Sequence, residues 1–489
     1  MFRDVGAPHD ADRYKWRVFA AIGLSFFTSV TAMSMVFVAL PDIASTFDVT
    51  LRAVGWVVIV ESLVIAATLL PFGRMADVVG RRRIHLVGLA LFGVGAGATA
   101  LAPSFAILIA ARILMAIGNS LGQSVGTAIL IAAFPASERG KAVGLQTTSV
   151  SIGGISGPIL GGLLLQVTSW RVLFVALLVP VVVTLVVGIV VLDEERLGGT
   201  DRGSSLDVAG WALSAAAIVV IVVTLNNPFA MAWTSPAILG GGLVGLAVLV
   251  GFIRRELSVQ APMLRVSMFA DVALASAVST RMLGFVVTAA LQLLLPVYLI
   301  SLRGIPEGRA AFVMVSASFG LGLSAYLVGR GSDRFGARRF TIAGLAGLMT
   351  LAACFAFLDS GSSMVLVVVL VLLNGLAMGA FAVPNSSHIL GMVPASDLGV
   401  MGAFTNLART IGTVGGHALA TSIVVGVMGS RGFDVPLEEI KDSTGASDAF
   451  MAGWQVAFLV AACVALAALL LIAASTLVRR DRDGRRFRG

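Results

Sequence analysis

The sequence predicts an all-α, polytopic membrane protein, and three observations indicate this fold class. Hydrophobic residues make up 58% of the 489 residues, while charged residues make up only 12%, against roughly 25% in an average soluble chain. The apolar residues fall into fourteen long segments, and one bilayer crossing needs about 20 such residues. Six segments before residue 192 are echoed by six after residue 271. We therefore expect two six-helix bundles plus two inserted helices.

The fourteen segments are expected to be helices, because a helix pairs all its backbone polar groups within hydrocarbon. They lie near 17–40, 54–74, 84–102, 104–133, 141–166, 170–192, 207–225, 236–254, 271–300, 307–329, 340–358, 363–391, 399–428 and 451–478. The first segment is predicted to span the membrane rather than act as a signal peptide. Its apolar run is too long, and it has no small-residue cleavage site before Pro41.

The net charge of +8 is distributed as in a membrane protein rather than a nucleic-acid-binding protein. When successive loops are assigned to alternate sides, the side with both termini holds 25 Lys and Arg residues and the other side 6. Arg112, Arg281 and Arg409 lie within helices. This asymmetry predicts a multi-pass protein of the plasma or inner membrane with both termini in the cytoplasm. The basic tail Arg479–Arg488 is then predicted to contact the membrane surface.

No pattern in the sequence favours an enzyme. Cys354 and Cys463 lie singly in separate apolar segments, which argues against a disulfide framework or a metal site. Gly118-Asn-Ser120-Leu-Gly122 matches a nucleophile-elbow pattern, but that motif needs a strand-to-helix turn, and this copy lies within one apolar helix. We expect no catalytic residue, no bound metal and no cofactor.

One charged loop pattern occurs twice, at an offset of 256 residues, and each copy lies between two apolar segments. The first copy carries Gly73, Asp77, Gly80, Arg81, Arg82 and Arg83, and the second carries Gly329, Asp333, Gly336, Arg338 and Arg339. A repeat of this kind in a membrane protein indicates duplicated halves, and duplicated halves around a central cavity indicate transport.

Further echoes extend the duplication over both halves. Pro135-Ala-Ser precedes segment 5 as Pro394-Ala-Ser precedes segment 13, and Trp170-Arg-x-x-Phe opens segment 6 as Trp454-Gln-x-x-Phe opens segment 14. Segments 7 and 8, which follow the polar linker Asp193–Ser205, have no counterpart. The expected domains are an N-terminal six-helix bundle (1–192), a linker with two extra helices (193–270), and a C-terminal six-helix bundle with the basic tail (271–489).

The sequence resembles the major facilitator superfamily, specifically its fourteen-helix branch of drug:proton antiporters. The first charged loop is similar to the hallmark between helices 2 and 3. Arg112 followed by Gly118 is similar to a second hallmark, although Met115 and Ala116 depart from it. The antiporter motif of helix 5 is matched in full by Gly153, Gly157, Pro158, Gly161 and Gly162. Leu206-Asp207-x-x-Gly210, Glu256…Pro262…Phe269 and Pro296-x-Tyr298…Gly304 also resemble the fourteen-helix branch.

The resemblance implies the major facilitator fold and alternating access by a monomer. It also implies multidrug-type efflux of small lipophilic or amphipathic compounds in exchange for protons, with the proton gradient as the energy source. The expected partners are membrane lipid, the small-molecule substrate and protons, with no nucleic acid. Two alternatives remain: an exporter or flippase of a lipid or lipid-linked cell-envelope component, and a non-transporting membrane sensor.

The charged loops are predicted to act as conformational latches. Gly73 and Gly80 allow a sharp turn between closely packed helices. Asp77 can accept hydrogen bonds from the N-terminal amides of a neighbouring helix, and Arg81–Arg83 can bind carboxylates or lipid phosphates. The simpler alternative is a positive-inside anchor. The Asp at a fixed spacing and the second copy favour the latch.

The glycines of segment 5 are predicted to let two helix backbones approach closely, and Pro158 to bend its helix. The resemblance associates this stretch with the interface between the halves, and static packing is compatible with that role. The counterpart of Pro158 in segment 13 is His417. A lone histidine within the membrane is more often a structural hydrogen-bond donor than a proton carrier.

Glu61 is the one acid placed well inside a segment. The resemblance places Asp and Asn where Ala32 and Phe37 stand, so the usual helix-1 carboxylate is absent. One hypothesis is that Glu61 couples transport to protons, since burial favours the neutral carboxyl and a nearby arginine favours the carboxylate. The other is a permanent ion pair with Arg281 or Arg409 that locks two helices. The candidate charge partners within the membrane are Arg112, Arg281 and Arg409.

Several polar side chains within the segments are candidates for lining the cavity. They are Asn119, Gln123, Gln146, Gln292, Asn374, Asn406 and His417. Each is alternatively an interhelical hydrogen-bonding group.

Overall fold

A computed structural model describes residues 8–197, 207–227, 231, 235–259, 262–433, 440 and 445–486. All regular secondary structure in these ranges is helical. Fourteen described helices are long and apolar enough to cross a membrane, which confirms the predicted number. Leu206, most of the linker Asp193–Ser205, part of the segment 429–450 and the end of the tail Arg479–Arg488 lie outside the described residues.

We number the fourteen long helices in chain order. They are α1 (Pro8–Phe47), α2 (Trp56–Val79), α3 (Arg81–Ala100), α4 (Phe105–Ala133), α5 (Arg139–Leu165), α6 (Trp170–Val191), α7 (Val208–Asn226), α8 (Pro236–Ser258), α9 (Val272–Pro296), α10 (Glu307–Phe335), α11 (Ala337–Ala356), α12 (Met364–Gly391), α13 (Leu398–Ser430) and α14 (Ala446–Arg486). Helices α1 and α14 extend well beyond their apolar segments. Hydrophobicity marks the part of a helix suited to hydrocarbon, whereas the backbone stays helical into the polar flanks.

The chain divides into two compact units. The first comprises Met1–Val219, Val248–Leu264 and Val393–Asn406, and the second comprises Val220–Ala247, Arg265–Met392 and Leu407–Gly489. These boundaries differ from the domains expected from the sequence, 1–192, 193–270 and 271–489. The expected domains follow the sequence repeat, whereas each unit contains the residues that pack against one another. Helices α7, α8 and α13 each contribute residues to both units.

Each unit contains a similar buried aromatic pair, which begins at the first residue of α6 in the first unit and about two turns into α14 in the second. Trp170 and Phe174 in the first unit have ring centroids 6.1 Å apart, and Trp454 and Phe458 in the second have centroids 4.6 Å apart. All four side chains are almost completely buried. Each indole N–H donates a hydrogen bond to an oxygen within its own unit. The repeated Trp-x-x-x-Phe pattern therefore has the same packing role in both halves.

The charged loops turn at their second glycine. Gly80 joins α2 to α3 with φ +118°, and Gly336 joins α10 to α11 with φ +92°. A side chain at either position would strain the backbone, because L residues other than glycine rarely adopt such angles. The predicted sharp turn is confirmed in the first copy, and the second copy has the same geometry.

The inserted helices are joined at one end by an ion pair. Asp207 precedes α7 and accepts hydrogen bonds from the guanidinium of Arg255 in α8 at 2.7 and 3.0 Å. Arg255 holds the pKa of the Asp207 carboxyl below its usual value. Trp211 of α7 packs edge-to-face against Phe72 of α2, with ring centroids 5.9 Å apart. The start of α7 is therefore fixed within the first unit.

Candidate functional site

Glu61 lies in α2 and forms an ion pair with Arg112 of α4 inside the first unit. Each of these residues is only 1% exposed. Of the three candidate charge partners, Arg112 is the one that pairs with Glu61, rather than the Arg281 or Arg409 of the lock hypothesis. Spacing along a helix indicates depth in the membrane, which is similar for all three arginines, but it does not show which helix lies beside α2.

Further contacts hold this ion pair in place. Asn119 donates from Nδ2 to Oε1 of Glu61 at 3.3 Å, so both carboxylate oxygens have a partner. Arg112 donates from Nε to the carbonyl of Val57 at 3.4 Å. Its guanidinium carbon lies 5.7 Å from the ring centroid of Phe174. A buried ion pair with satisfied hydrogen bonds is costly to break, because loss of one partner leaves an uncompensated charge.

A chain of amides extends from Glu61 along α4. Gln123, one turn beyond Asn119, donates to the Asn119 side-chain oxygen at 3.0 Å. Asn406 of α13 donates to the carbonyl of Gln123 at 3.5 Å. Two of the predicted cavity residues, Asn119 and Gln123, therefore form a side-chain series with Glu61, while Asn406 bonds the backbone of the same turn. Amides do not titrate, so Asn119 and Gln123 position the carboxylate rather than carry its proton.

The two positions that depart from the family pattern in α1 have different environments. Ala32 is completely buried, whereas Phe37 is 53% exposed. Neither side chain can bind a proton. The helix-1 carboxylate of the family pattern is therefore absent, and the buried ion pair Glu61–Arg112 of this unit joins α2 to α4 instead.

The other polar candidates divide between packing and a cavity. Gln146 of α5 donates a hydrogen bond to Thr127 of α4 at 2.9 Å, so it has the interhelical role that was the alternative to lining the cavity. Gln292 and Asn374 line a partly open cleft in the second unit with about 580 Å³ of empty space, together with mostly apolar side chains. His417 is half-buried, and its Nε2 has no hydrogen-bond partner among the described residues.

Asp77 of the first charged loop is buried and fully engaged. Its Oδ1 accepts hydrogen bonds from Arg81 at 2.9 and 3.2 Å. Its Oδ2 accepts from the backbone N–H of Val400, at the start of α13, at 3.1 Å. The predicted hydrogen bond to a helix N-terminus is therefore present. A Cβ on Gly73 would lie 2.6 Å from that of Ala403, so glycine permits this close approach.

The residues that follow α6, Asp193–Leu197, pack on the same loop; we call them the linker strap. Arg81 donates to the carbonyl of Leu197 at 3.0 Å. The backbone N–H of Asp193 donates to the hydroxyl of Tyr14 at 3.3 Å.

The other two arginines of the first charged loop have different contacts from Arg81. Arg82 donates to the carbonyl of Ile189 at 2.9 Å, and Arg83 is exposed. The three arginines therefore have different environments, with Arg81 alone fully buried.

The second charged loop has a different environment from the first. Asp333 and Arg339 are exposed, and Gly329 is buried. Arg338 donates to the carbonyl of Ile472 at 3.4 Å. The two copies share sequence and turn geometry, but the carboxylate is buried only in the first. The latch role of both loops stays a prediction.

The antiporter motif of α5 packs against α1 within the first unit. Added Cβ atoms would lie 2.7 Å from the Phe27 carbonyl at Gly153, 2.8 Å from the Thr31 carbonyl at Gly157, and 2.8 Å from Met35 Cγ at Gly161. No other heavy atom lies within 4 Å of the Cβ position of Gly162, and Pro158 lies inside the helix. Gly153, Gly157 and Gly161 therefore serve close helix packing, as the sequence predicted, whereas Gly162 does not contact α1.

Comparison with known proteins identifies the family. The Major Facilitator Superfamily model matches residues 22–417 and 282–489. The riboflavin transporter RibZ of Clostridioides difficile is 28% identical over 410 residues, covering 84% of this chain and 88% of that protein. The multidrug resistance protein Stp of Mycobacterium tuberculosis (strain H37Rv) is 31% identical over 408 residues, covering 83% and 75%.

A solved structure shows the same fold. The crystal structure of the human organic anion transporter MFSD10 (TETRAN) superposes with a TM-score of 0.68, covering 94% of this chain and 99% of that one. At 15% identity the likeness concerns the fold. It confirms the predicted all-α architecture with fourteen candidate spans.

Proposed function

The chain belongs to the major facilitator superfamily of membrane transporters, and on that premise we propose that it exports small lipophilic or amphipathic compounds in exchange for protons. The observation that carries the proposal is the Glu61–Arg112 ion pair. This pair contains a buried carboxylate whose charge depends on its partner. The relatives of this protein include one named as a multidrug resistance protein.

In the proton step, Arg112 and a proton compete for the carboxylate of Glu61. With Arg112 in contact, Glu61 is favoured as the anion. A change of conformation that separates the two groups leaves the buried carboxylate uncompensated, which favours uptake of a proton. Return of Arg112 would then favour its release. Asn119 keeps the carboxylate oriented during the exchange.

The substrate class rests on the lining of the cavity in the second unit. Leucine, methionine, alanine and valine side chains provide most of its surface, with Thr288, Gln292, Ser318 and Asn374 as polar groups. An apolar wall with a few polar side chains suits an amphipathic ligand. RibZ is named as a riboflavin transporter and Stp as a multidrug resistance protein, and both kinds of substrate fit this description.

The conformational change is assigned to alternating access, with the first charged loop as a latch. Asp77 holds the start of α13 through the Val400 amide, and α13 belongs by sequence to the C-terminal half. Release of that hydrogen bond would free the beginning of α13 from α2. We propose that the latch lies on the cytoplasmic side, which is the side that the charge distribution assigns to this loop.

Transport by the purified protein in liposomes tests the proposed function. We expect a pH gradient alone to drive accumulation of at least one of three probes: ethidium, riboflavin and naphthalene-2-sulfonate, which are cationic, neutral and anionic. A protonophore that collapses the gradient should abolish accumulation, and protein-free liposomes correct for passive entry. Accumulation of a probe that ignores the protonophore would contradict proton exchange.

A further inference from the structure

The cleft of the second unit is lined by one stripe of side chains from each of three helices. Every stripe combines apolar and polar residues, and the polar residues include Gln292 on α9, Ser318 on α10 and Asn374 on α12. Asn374 follows Met364, the first residue of α12, by ten residues, which is about 15 Å along the helix. That distance is about half the thickness of a bilayer's hydrocarbon core. The polar groups of the cleft therefore lie deep in the membrane.

Helices α10 and α12 are in backbone contact beside the cleft. A Cβ on Gly375 would overlap the carbonyl oxygen of Ala317 and would lie 2.9 Å from the amide nitrogen of Leu321. Asn374 and Ser318 are the chain neighbours of Gly375 and Ala317, and both line the cleft. The backbone contact therefore places these two polar residues at the same level of one wall.

The amide side chains of Gln292 and Asn374 are available to a ligand. Neither amide makes a hydrogen bond within the part of the chain that the structure describes. Asn385, on the same helix as Asn374, shows the contrasting case, because its Nδ2 donates to the carbonyl of Ala277 at 3.0 Å. Asn374 is only 8% exposed, and a polar group this deeply buried normally has a hydrogen-bond partner. A bound molecule in the cleft would supply one.

The lining of the cleft is uncharged. None of the described residues that line it is acidic, basic or a histidine. The charged residue of α9 is Arg281, which precedes Thr288 by seven residues, or about 10 Å along the helix, and donates to the carbonyl of Ala382 at 3.4 Å. A charged ligand group in the cleft would lose water without contacting an opposite charge, which is costly. The cleft therefore favours uncharged ligands.

We propose that the polar side chains of this cleft bind the amide or imide edge of an uncharged amphipathic substrate, with Gln292 and Asn374 as its partners. A carboxamide has both donors and an acceptor, so it forms paired hydrogen bonds with an edge where a carbonyl lies beside an N–H. The Ser318 hydroxyl adds one further donor and acceptor. Leucine and methionine side chains of the same stripes contact the apolar part of the substrate. The inference rests on the proposed transport function and specifies its substrate class.

Fluorescence titration of the purified full-length protein in a neutral maltoside detergent tests this edge. The probes are lumiflavin, whose imide N–H lies between two carbonyl groups, and 3-methyllumiflavin, in which a methyl group replaces that hydrogen. Protein-free micelles correct for partition into detergent. We expect lumiflavin to bind about tenfold or more tightly, because the methylated probe leaves a buried carboxamide oxygen without a donor. Equal affinities of the wild-type protein, or binding of neither probe, would overturn the proposal.

Variants separate the hydrogen bonds from the shape of the cleft. Asn374→Leu and Gln292→Met keep the approximate side-chain volume and remove the amide. We expect each to reduce the preference for lumiflavin at least threefold while retaining 3-methyllumiflavin binding, which also shows that the variant is folded. Gln455→Met makes the same change at an exposed position of α14 and should keep the preference. If both cleft variants keep it as well, the methyl group is rejected by its size, and the amides do not bind the edge.

A second probe pair tests the exclusion of charge. Flavins that carry a carboxymethyl or a carbamoylmethyl group at N10 keep the same imide edge and have nearly the same size, but only the first is an anion. We expect the carboxymethyl flavin to bind at least tenfold more weakly, because its charge meets no opposite charge in the cleft. Equal affinities, or a preference for the anion, would overturn the uncharged substrate class.

The binding and transport measurements together distinguish this inference from the proposed function. Binding that selects the imide edge, without pH-driven transport of any probe, would overturn the proposed function alone. Transport of ethidium or riboflavin driven by the pH gradient, without such selective binding, would overturn this inference alone.

Discussion

Replacing Arg112 with glutamine is expected to lower the free energy of unfolding by about 3–5 kcal/mol, because Glu61 would remain buried without its partner. The effect should be large since both side chains are 1% exposed. Unfolding of the purified variant in mixed micelles, followed by the fluorescence of its tryptophans, measures the change.

Two further variants identify the cause of this destabilisation. The double variant Glu61→Gln/Arg112→Gln carries no charge at the pair and should recover most of the lost stability. Arg254→Gln removes an exposed arginine from α8, and a surface change of this kind is typically within about 0.5 kcal/mol. A cost for Arg112→Gln that is no larger than the cost for Arg254→Gln would contradict the buried ion pair.

Replacing Asp77 with asparagine is expected to release the start of α13. The substitution removes the ion pair with Arg81 and the charge-assisted hydrogen bond from Val400. Each hydrogen bond to a charged group contributes about 1.5–3 kcal/mol, so the opening of this contact should increase more than tenfold. Hydrogen–deuterium exchange in peptides that cover Leu398–Asn406 measures the release directly.

The second charged loop provides a matched control for that experiment. Asp333→Asn makes the same chemical change at the equivalent position of the repeat, where the carboxylate is exposed. We expect it to leave exchange at the start of α13 nearly unchanged. If Asp77→Asn and Asp333→Asn increase exchange in that segment equally, Asp77 is not the group that holds it.

The features that depend on chain chemistry alone were predictable from the sequence. Segment length and apolar content predicted fourteen spans, and the glycines of the charged loops predicted sharp turns. The repeated Trp-x-x-x-Phe pattern predicted the duplication, which the buried pairs at Trp170 and Trp454 reproduce. Each of these follows from local composition or from comparison of the chain with itself.

The features that depend on lateral packing were not predictable. Arg112, Arg281 and Arg409 all lie deep in their helices, but only the packing of α2 beside α4 selects Arg112 as the partner of Glu61. The two charged loops are alike in sequence, yet Asp77 is buried and Asp333 exposed. The difference arises because Val400 and the linker strap, from distant parts of the chain, pack onto the first copy.

Proton exchange at Glu61 is tested most directly by transport in liposomes with a pH gradient as the only driving force. The variant to compare with the wild type is Glu61→Gln/Arg112→Gln, which keeps the pair neutral and hydrogen-bonded. We expect it to equilibrate a transported probe down its gradient but not to concentrate it. Accumulation of that probe by the double variant to the wild-type level would contradict the role of Glu61.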